Sequence, residues 1–436
     1  MFLQNAISKR INDNNPVKVA LIGAGKFGSM FLSQVPSTLG IEVLVIADLK
    51  PDNAVKACKN VGWSDDLINK TKFVDRGTDA IKLNEVEVVI EATGFPAAGI
   101  EHARQAFQNG KHIIMVNVEA DVLAGAALVK EANSAGVVYS MAYGDQPALT
   151  AEIVEWARAS GFNVTSAGKG TRYQPIYHKS SPDTVWDYYG LTHEEAKKAG
   201  MNPKMFNSFL DGTKSGLEMA AIANACDLDV PTNGLLFPPC GMDDLANVLK
   251  PIKAGGFLEK NGQVEVVSSL ERDGRPVFKD LRWGVFAVLE APNDYAASCF
   301  KQYGMNTDDT GKFSAMYKPF HLIGMELNIS VFSAALLNQA TGQTKKFTGD
   351  VVSTTKTILK KGEILDGEGG ATVWGKLVPS KLSLSMEALP IGLAHGIRIK
   401  NEIKENEIIT WNDVDYLPSD PAILYRRKME NDFKKS

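Results

Sequence analysis

Gly23-Ala24-Gly25-Lys26-Phe27-Gly28 follows G-x-G-x-x-G, a spacing suited to cradling a diphosphate. The first glycine permits a tight turn and the second lets the backbone approach the anion. The third lets the next helix pack close to the strand. Free N–H groups and the helix dipole at that point favour negative charge. Asp48 stands about twenty positions beyond Gly28, where an acid accepting a hydrogen bond from a ribose 2′-hydroxyl is expected. That carboxylate favours NAD. Lys50 is either a solvated lysine or a contact for a 2′-phosphate, so NADP stays open. Thr93 and Gly94 end the apolar run from Val88, and Asn117 ends the next one. Both segments are expected to border the cofactor.

Hydride transfer asks little of the protein, because the nicotinamide carries the hard chemistry. What remains is to polarise one oxygen and move one proton. Lys169, between Gly168 and Gly170, is expected in a tight loop after a strand. Lys214 and Glu218 are four apart on a helix, so a carboxylate is expected to orient Lys214, or the two form a surface ion pair. His321 is a proton donor or a structural histidine. Glu119 follows the apolar run His112–Val118. Asp145 follows the run Val137–Met141 and is either a functional acid or a helix cap before Pro147. Glu119, Asp121 and Asp145 could supply oxygen ligands to Mg2+. The histidines show no HxxxH or HxH spacing, and no GxSxG or Walker motif is present.

These residues need elements to hold them. Val17–Ile22, Ile41–Ala47, Val86–Ala92, His112–Val118 and Val137–Met141 read as buried parallel strands, interleaved with helices at Ser29–Leu39, Ala98–Gln108 and Ala124–Ala135. A short polar N-terminal helix precedes them. The alternation predicts an α/β fold, with an N-terminal doubly wound Rossmann sheet over 1–145. Residues 146–348 read as an α+β catalytic and dimerisation domain. It has an amphipathic helix Gln146–Ser160, strands Asn163–Ala167 and Val285–Glu290, and helices near 213–225 and 242–249. Residues 349–436 read as a small β-rich module, in which Lys360–Gly367 is loosely echoed by Ile403–Thr410.

Composition sets wider bounds. The chain has 436 residues, 44% hydrophobic and 22% charged, with net charge −4. Two or three domains fit that length. The mixed charge argues against a nucleic-acid surface. Four cysteines without a CxxC pair fit a reducing compartment. The polar start and the lack of a long apolar run lead to an expectation of a cytoplasmic protein that neither spans nor enters a membrane.

Val116–Gly125, Tyr143–Pro147, Ala167–Thr171, Asp211–Ser215 and Tyr317–His321 together resemble one family. It is the homoserine dehydrogenase-like group that includes the 1-deoxy-D-xylulose 5-phosphate reductoisomerase-like oxidoreductases. The likeness covers nearly the whole chain, and the part past about residue 350 is similar to an SAF-type β-clip module. Ala92-Thr93-Gly94 resembles the corresponding turn of homoserine dehydrogenase. The resemblance implies an NADP-linked reductoisomerase acting on a sugar phosphate, and a homodimer. The chain lacks the Ser-x-Asp-Ser-Glu metal motif of other reductoisomerases.

The sequence thus leads to an NAD(P)-dependent oxidoreductase acting on a small hydroxylated or phosphorylated substrate. Homoserine dehydrogenase is the rival enzyme. A nucleotide-sensing regulator is the rival outside catalysis. An enzyme requires Lys169, Lys214 and His321 to meet at the carboxyl edge of the Rossmann sheet, whereas a sensor does not.

Overall fold

The computed structural model describes residues 3–435. Met1 and Phe2, where the reading of the N-terminal segment begins, lie outside the described residues. The chain forms two compact units, one of residues 1–152 with 321–345 and one of 153–320 with 346–436.

The first unit is built on six parallel strands: β1 (Val17–Ile22), β2 (Ile41–Ala47), β3 (Lys72–Val74), β4 (Val88–Glu91), β5 (His112–Met115) and β6 (Tyr139–Met141). Their spatial order is β3-β2-β1-β4-β5-β6, the doubly wound order. Register runs Ile22↔Glu91 across the β1/β4 pair, so the glycine loop and Thr93 leave the sheet side by side at the point where the order reverses. The apolar strands face helices on both sides, as continuous Val/Ile runs require. The expected helix at Ala124–Ala135 begins earlier, at Val118, because the Asn117 side chain caps it by accepting from Ala120 N at 3.0 Å. Asn117 and Glu119 therefore belong to a helix start and not to the end of β5, which stops at Met115. The return segment adds helix Asn328–Leu337. Its Val331, Phe332 and Ala334 join the core formed by Val19, Leu21, Ile90 and Ile114.

The second unit carries a mixed four-stranded sheet: β7 (Asn163–Thr171), β8 (Gln263–Ser268), β9 (Val285–Glu290) and β10 (Phe313–Lys318), in the order β10-β9-β7-β8. β7 pairs parallel with β8 and antiparallel with β9. The strand expected at Asn163–Ala167 runs on to Thr171, so Lys169 sits inside a central strand and not in a loop. Its flanking glycines are packing residues. A Cβ on Gly168 would lie 1.9 Å from Glu265 O, and one on Gly170 would lie 1.9 Å from Leu281 O.

Helix Thr213–Cys226 is buried along nearly its whole length. It packs on β7 and β8, and also on the hairpin of β11 (Gly349–Thr355) and β12 (Val373–Pro379). β13 (Arg398–Ile399) and β14 (Val414–Asp415) form a second short pair. The two echoed segments meet at their starts, where Leu359 and Ile403 exchange backbone hydrogen bonds at 2.9 Å. Helix Pro421–Lys434 closes the chain. Its fully buried Arg426 donates to Asp350 Oδ2 at 2.5 Å and to Glu430 Oε1 at 2.8 Å.

Candidate active site

The glycine loop divides its labour as the motif requires. Gly23 has φ +95°, and a Cβ there would lie 2.8 Å from Ala92 O. A Cβ on Gly28 would lie 2.3 Å from Gly23 O, which is the close helix–loop packing expected of the third glycine. Gly25 caps helix Lys26–Gln34, and a Cβ there would meet nothing within 4 Å. That open space before a helix N-terminus is where a diphosphate fits. Lys26 is exposed and Phe27 half-buried beside it. Asp48 leaves the end of β2 half-buried. Its Oδ2 accepts from Ala24 N at 3.1 Å and its Oδ1 from Lys50 N at 3.0 Å, which fixes the carboxylate against the loop.

Thr93 is held by a residue that the sequence reading passed over. Glu91, fully buried at the end of β4, accepts from Thr93 Oγ1 at 2.5 Å and lies 3.3 Å from His102 Nδ1. A lone acid closing an apolar strand before Thr-Gly was the available signal. Thr93 Oγ1 in turn accepts from Phe95 N at 3.3 Å, and Asn117 Nδ2 donates to Phe95 O at 3.0 Å. Gly94 has φ +68°, with open space around it. The exposed loop Thr93–Phe95 bordering Gly23–Gly28 is thus tied to buried Glu91 and Asn117.

Asp145 directly precedes helix Gln146–Ala159, and its Oδ1 accepts from Gln146 N at 2.9 Å. His321 lies 3.3 Å from the Gln146 side chain, ring Nε2 to amide Nε2. Glu119 is buried in the first turn of its helix. Asp121 is taken up by Tyr139, which donates to it at 2.9 Å, and by Thr344. Burial raises its carboxyl to about 6. Among the described residues no group of three or more His, Cys, Asp or Glu side chains is placed to hold a metal ion.

In the second unit, Lys169 and Glu218 form an ion pair, both more than nine-tenths buried. The sequence reading gave Glu218 to Lys214, four residues before it. Glu218 instead faces the sheet, where Lys169 projects from β7. The helix that carries it is buried on that side, so its carboxylate meets a cation from another element. Lys214 is only partly buried. A buried lysine paired with a carboxylate is held in one position and kept from bulk water.

Comparison with known proteins adds two matches. Residues 23–142 match the family model described as homoserine dehydrogenase, NAD binding domain. Residues 144–327 match the model described as oxidoreductase DRL, catalytic domain. The matched segments are thus an NAD-binding domain and an oxidoreductase catalytic domain. The glycine loop, open at Gly25 and bordered by Asp48, fits the dinucleotide. The comparison with curated proteins found no match. A solved homoserine dehydrogenase from Thiobacillus denitrificans is similar at 14% identity and TM-score 0.43, over 78% of this chain and 83% of that one. The oxidoreductase yvaA from Bacillus subtilis is similar at 17% identity and TM-score 0.27, over 38% of this chain. The match spans about half of that protein's length, 47%. Among the described residues no helix is long and apolar enough to cross a membrane.

Proposed function

We propose that this oxidoreductase exchanges a hydride between NAD(P) and a small hydroxylated or phosphorylated substrate, as a reductoisomerase acting on a sugar phosphate. The observation that carries this reading is the buried Lys169–Glu218 pair inside the segment that matches an oxidoreductase catalytic domain. Bound NAD(P) supplies the hydride-transfer chemistry. Lys169 holds a proton at Nζ, stabilises negative charge developing on the substrate oxygen, and is kept in place by Glu218. Lys214, near the start of the same helix, suits the anionic end of a phosphorylated substrate. His321, Asp145 and Glu119 are assigned to proton movement and positioning in the first unit. Asp48 favours NAD at the ribose, and use of both nicotinamide cofactors is expected.

The protein works as a cytoplasmic homodimer, and its C-terminal strand pairs are an SAF-type module. Four cysteines in 436 residues, with no CxxC pair, support a reducing compartment.

Sugar phosphates, hydroxy acids and homoserine should be screened with both cofactors by nicotinamide absorbance. A sugar phosphate is expected to turn over. Turnover of homoserine in its place would favour a homoserine dehydrogenase. Lys169→Met should lower turnover by at least ~100-fold with NAD(P)H affinity unchanged. Full activity in that variant would overturn the role of Lys169. NAD(P)H binding without turnover of any substrate would leave the chain as a nucleotide sensor.

A further inference from the structure

The second unit contains a cavity of about 220 Å3 for which the reaction above has no use. Its walls are His178, Phe237, Trp374 and Lys376, and its floor includes Gly212 and Gly216 at the start of helix Thr213–Cys226. The aromatic walls are locked from behind. Phe237 stacks on Tyr173 with ring centroids 4.0 Å apart and planes within 12°. His178 stacks on Trp374 at 4.1 Å. The imidazole has both nitrogens engaged. Nδ1 donates to Asp211 O at 2.7 Å, which leaves Nε2 to accept from Tyr173 Oη at 3.0 Å. Burial also lowers the His178 pKa, so the ring is a neutral wall.

Phe237 has φ +51°, a left-handed conformation that costs a bulky residue free energy. Buried Glu265 and exposed Arg272 hold it there. Glu265 accepts from Leu236 N at 3.0 Å and from Phe237 N at 3.3 Å. Arg272 donates to Leu236 O at 2.9 Å and to Phe237 O at 3.1 Å. Strained residues held by their surroundings cluster at ligand-contacting surfaces.

Charge selects the occupant. No lining residue is acidic. The nearby Asp211 is neutralised by buried Lys356 at 2.7 Å. Lys376 is the one lining cation, and its ammonium has no hydrogen-bond or ion-pair partner among the described residues. The positive end of helix Thr213–Cys226 adds to it. The volume falls below the ~300–1,000 Å3 of drug-sized pockets, which excludes a dinucleotide and suits a single ring. We propose that this cavity binds a small organic anion with a planar body, its acid group at Lys376 and its flat faces against Trp374 and Phe237.

Titration calorimetry of the full chain, without NAD(P) or substrate, tests this independently of the hydride-transfer reading. Benzoate is the probe, benzamide its neutral isostere, and inorganic phosphate the anion without a ring. Benzoate should bind with a millimolar or lower Kd, and benzamide at least ~10-fold more weakly. Lys376→Met should remove that preference, bringing benzoate down to the level of benzamide. Phosphate should bind more weakly than benzoate. Absence of benzoate binding, equal binding of benzoate and benzamide to the parent chain, or an unchanged preference in Lys376→Met would each overturn the site. Phosphate binding as tight as benzoate, and lost in Lys376→Met, would overturn the planar-body assignment. The parent comparison needs no variant, and Lys376 is only partly buried, so folding of Lys376→Met is checked by its melting curve.

Discussion

At the scale of single residues, the three motif glycines are constrained by different neighbours, and their substitutions should fail differently. A side chain at Gly25 meets no protein atom within 4 Å, so Gly25→Val should fold with a melting temperature close to the parent's. It should nevertheless lose NAD(P)H binding, because the added methyls fill the space left for the diphosphate. Retained affinity by titration calorimetry in a folded variant would refute the assignment of that space. Glu265 carries a pH signature. Burial raises its carboxyl from the ordinary 4.5 to about 7. Between these values the folded chain keeps a proton that the unfolded chain has released. Its contribution to stability is therefore full below about 4.5 and declines as pH rises through about 7. Glu265→Gln resembles the protonated form. It should give a shallower fall of melting temperature with pH across that window than the parent shows. Identical slopes would mean that Glu265 is not the group responsible.

At the scale of elements, the strands and helices of the first unit were legible because buried parallel strands read as unbroken apolar runs and the glycine loop marks a strand-to-helix turn. Asn117 was misplaced because a strand end and a helix cap look alike when the strand is only four residues long. In β7, Gly168 and Gly170 imitate loop punctuation. Their reason is contact with the Glu265 and Leu281 carbonyls from distant parts of the chain, which local sequence does not encode. The same holds for Glu218, whose partner Lys169 comes from another element. Both residues were singled out in the sequence, but the pairing between them required the fold. The contact at Gly170 makes a prediction. Gly170→Ala places a methyl 1.9 Å from Leu281 O in a central strand. It should destabilise by at least about 1–3 kcal/mol, read by denaturant unfolding. A loss within experimental error would show that β7 and its neighbour separate freely.

At the scale of the whole molecule, the C-terminal helix is tied to the second unit by charge buried out of water. Arg426 is 0% exposed and bonded to both Asp350 and Glu430. Arg426→Ala leaves Asp350 buried without its cation, so a loss of about 3–5 kcal/mol is expected by denaturant unfolding. A loss below about 1 kcal/mol, the size of a surface pair, would mean that the helix is held by its apolar contacts alone. The order in which the chain is made has its own effect, since the first unit is not contiguous. Helix Asn328–Leu337 belongs to its core, yet Ile153–Phe320 must leave the ribosome before that helix exists. At roughly 5–20 residues per second, the nascent Rossmann sheet waits about 9–37 s with an apolar face uncovered. An apolar face left uncovered for that time is an aggregation hazard during synthesis. A fragment ending at residue 152 lacks the means to close its own core, so the dinucleotide-binding unit cannot be excised by cutting the chain once.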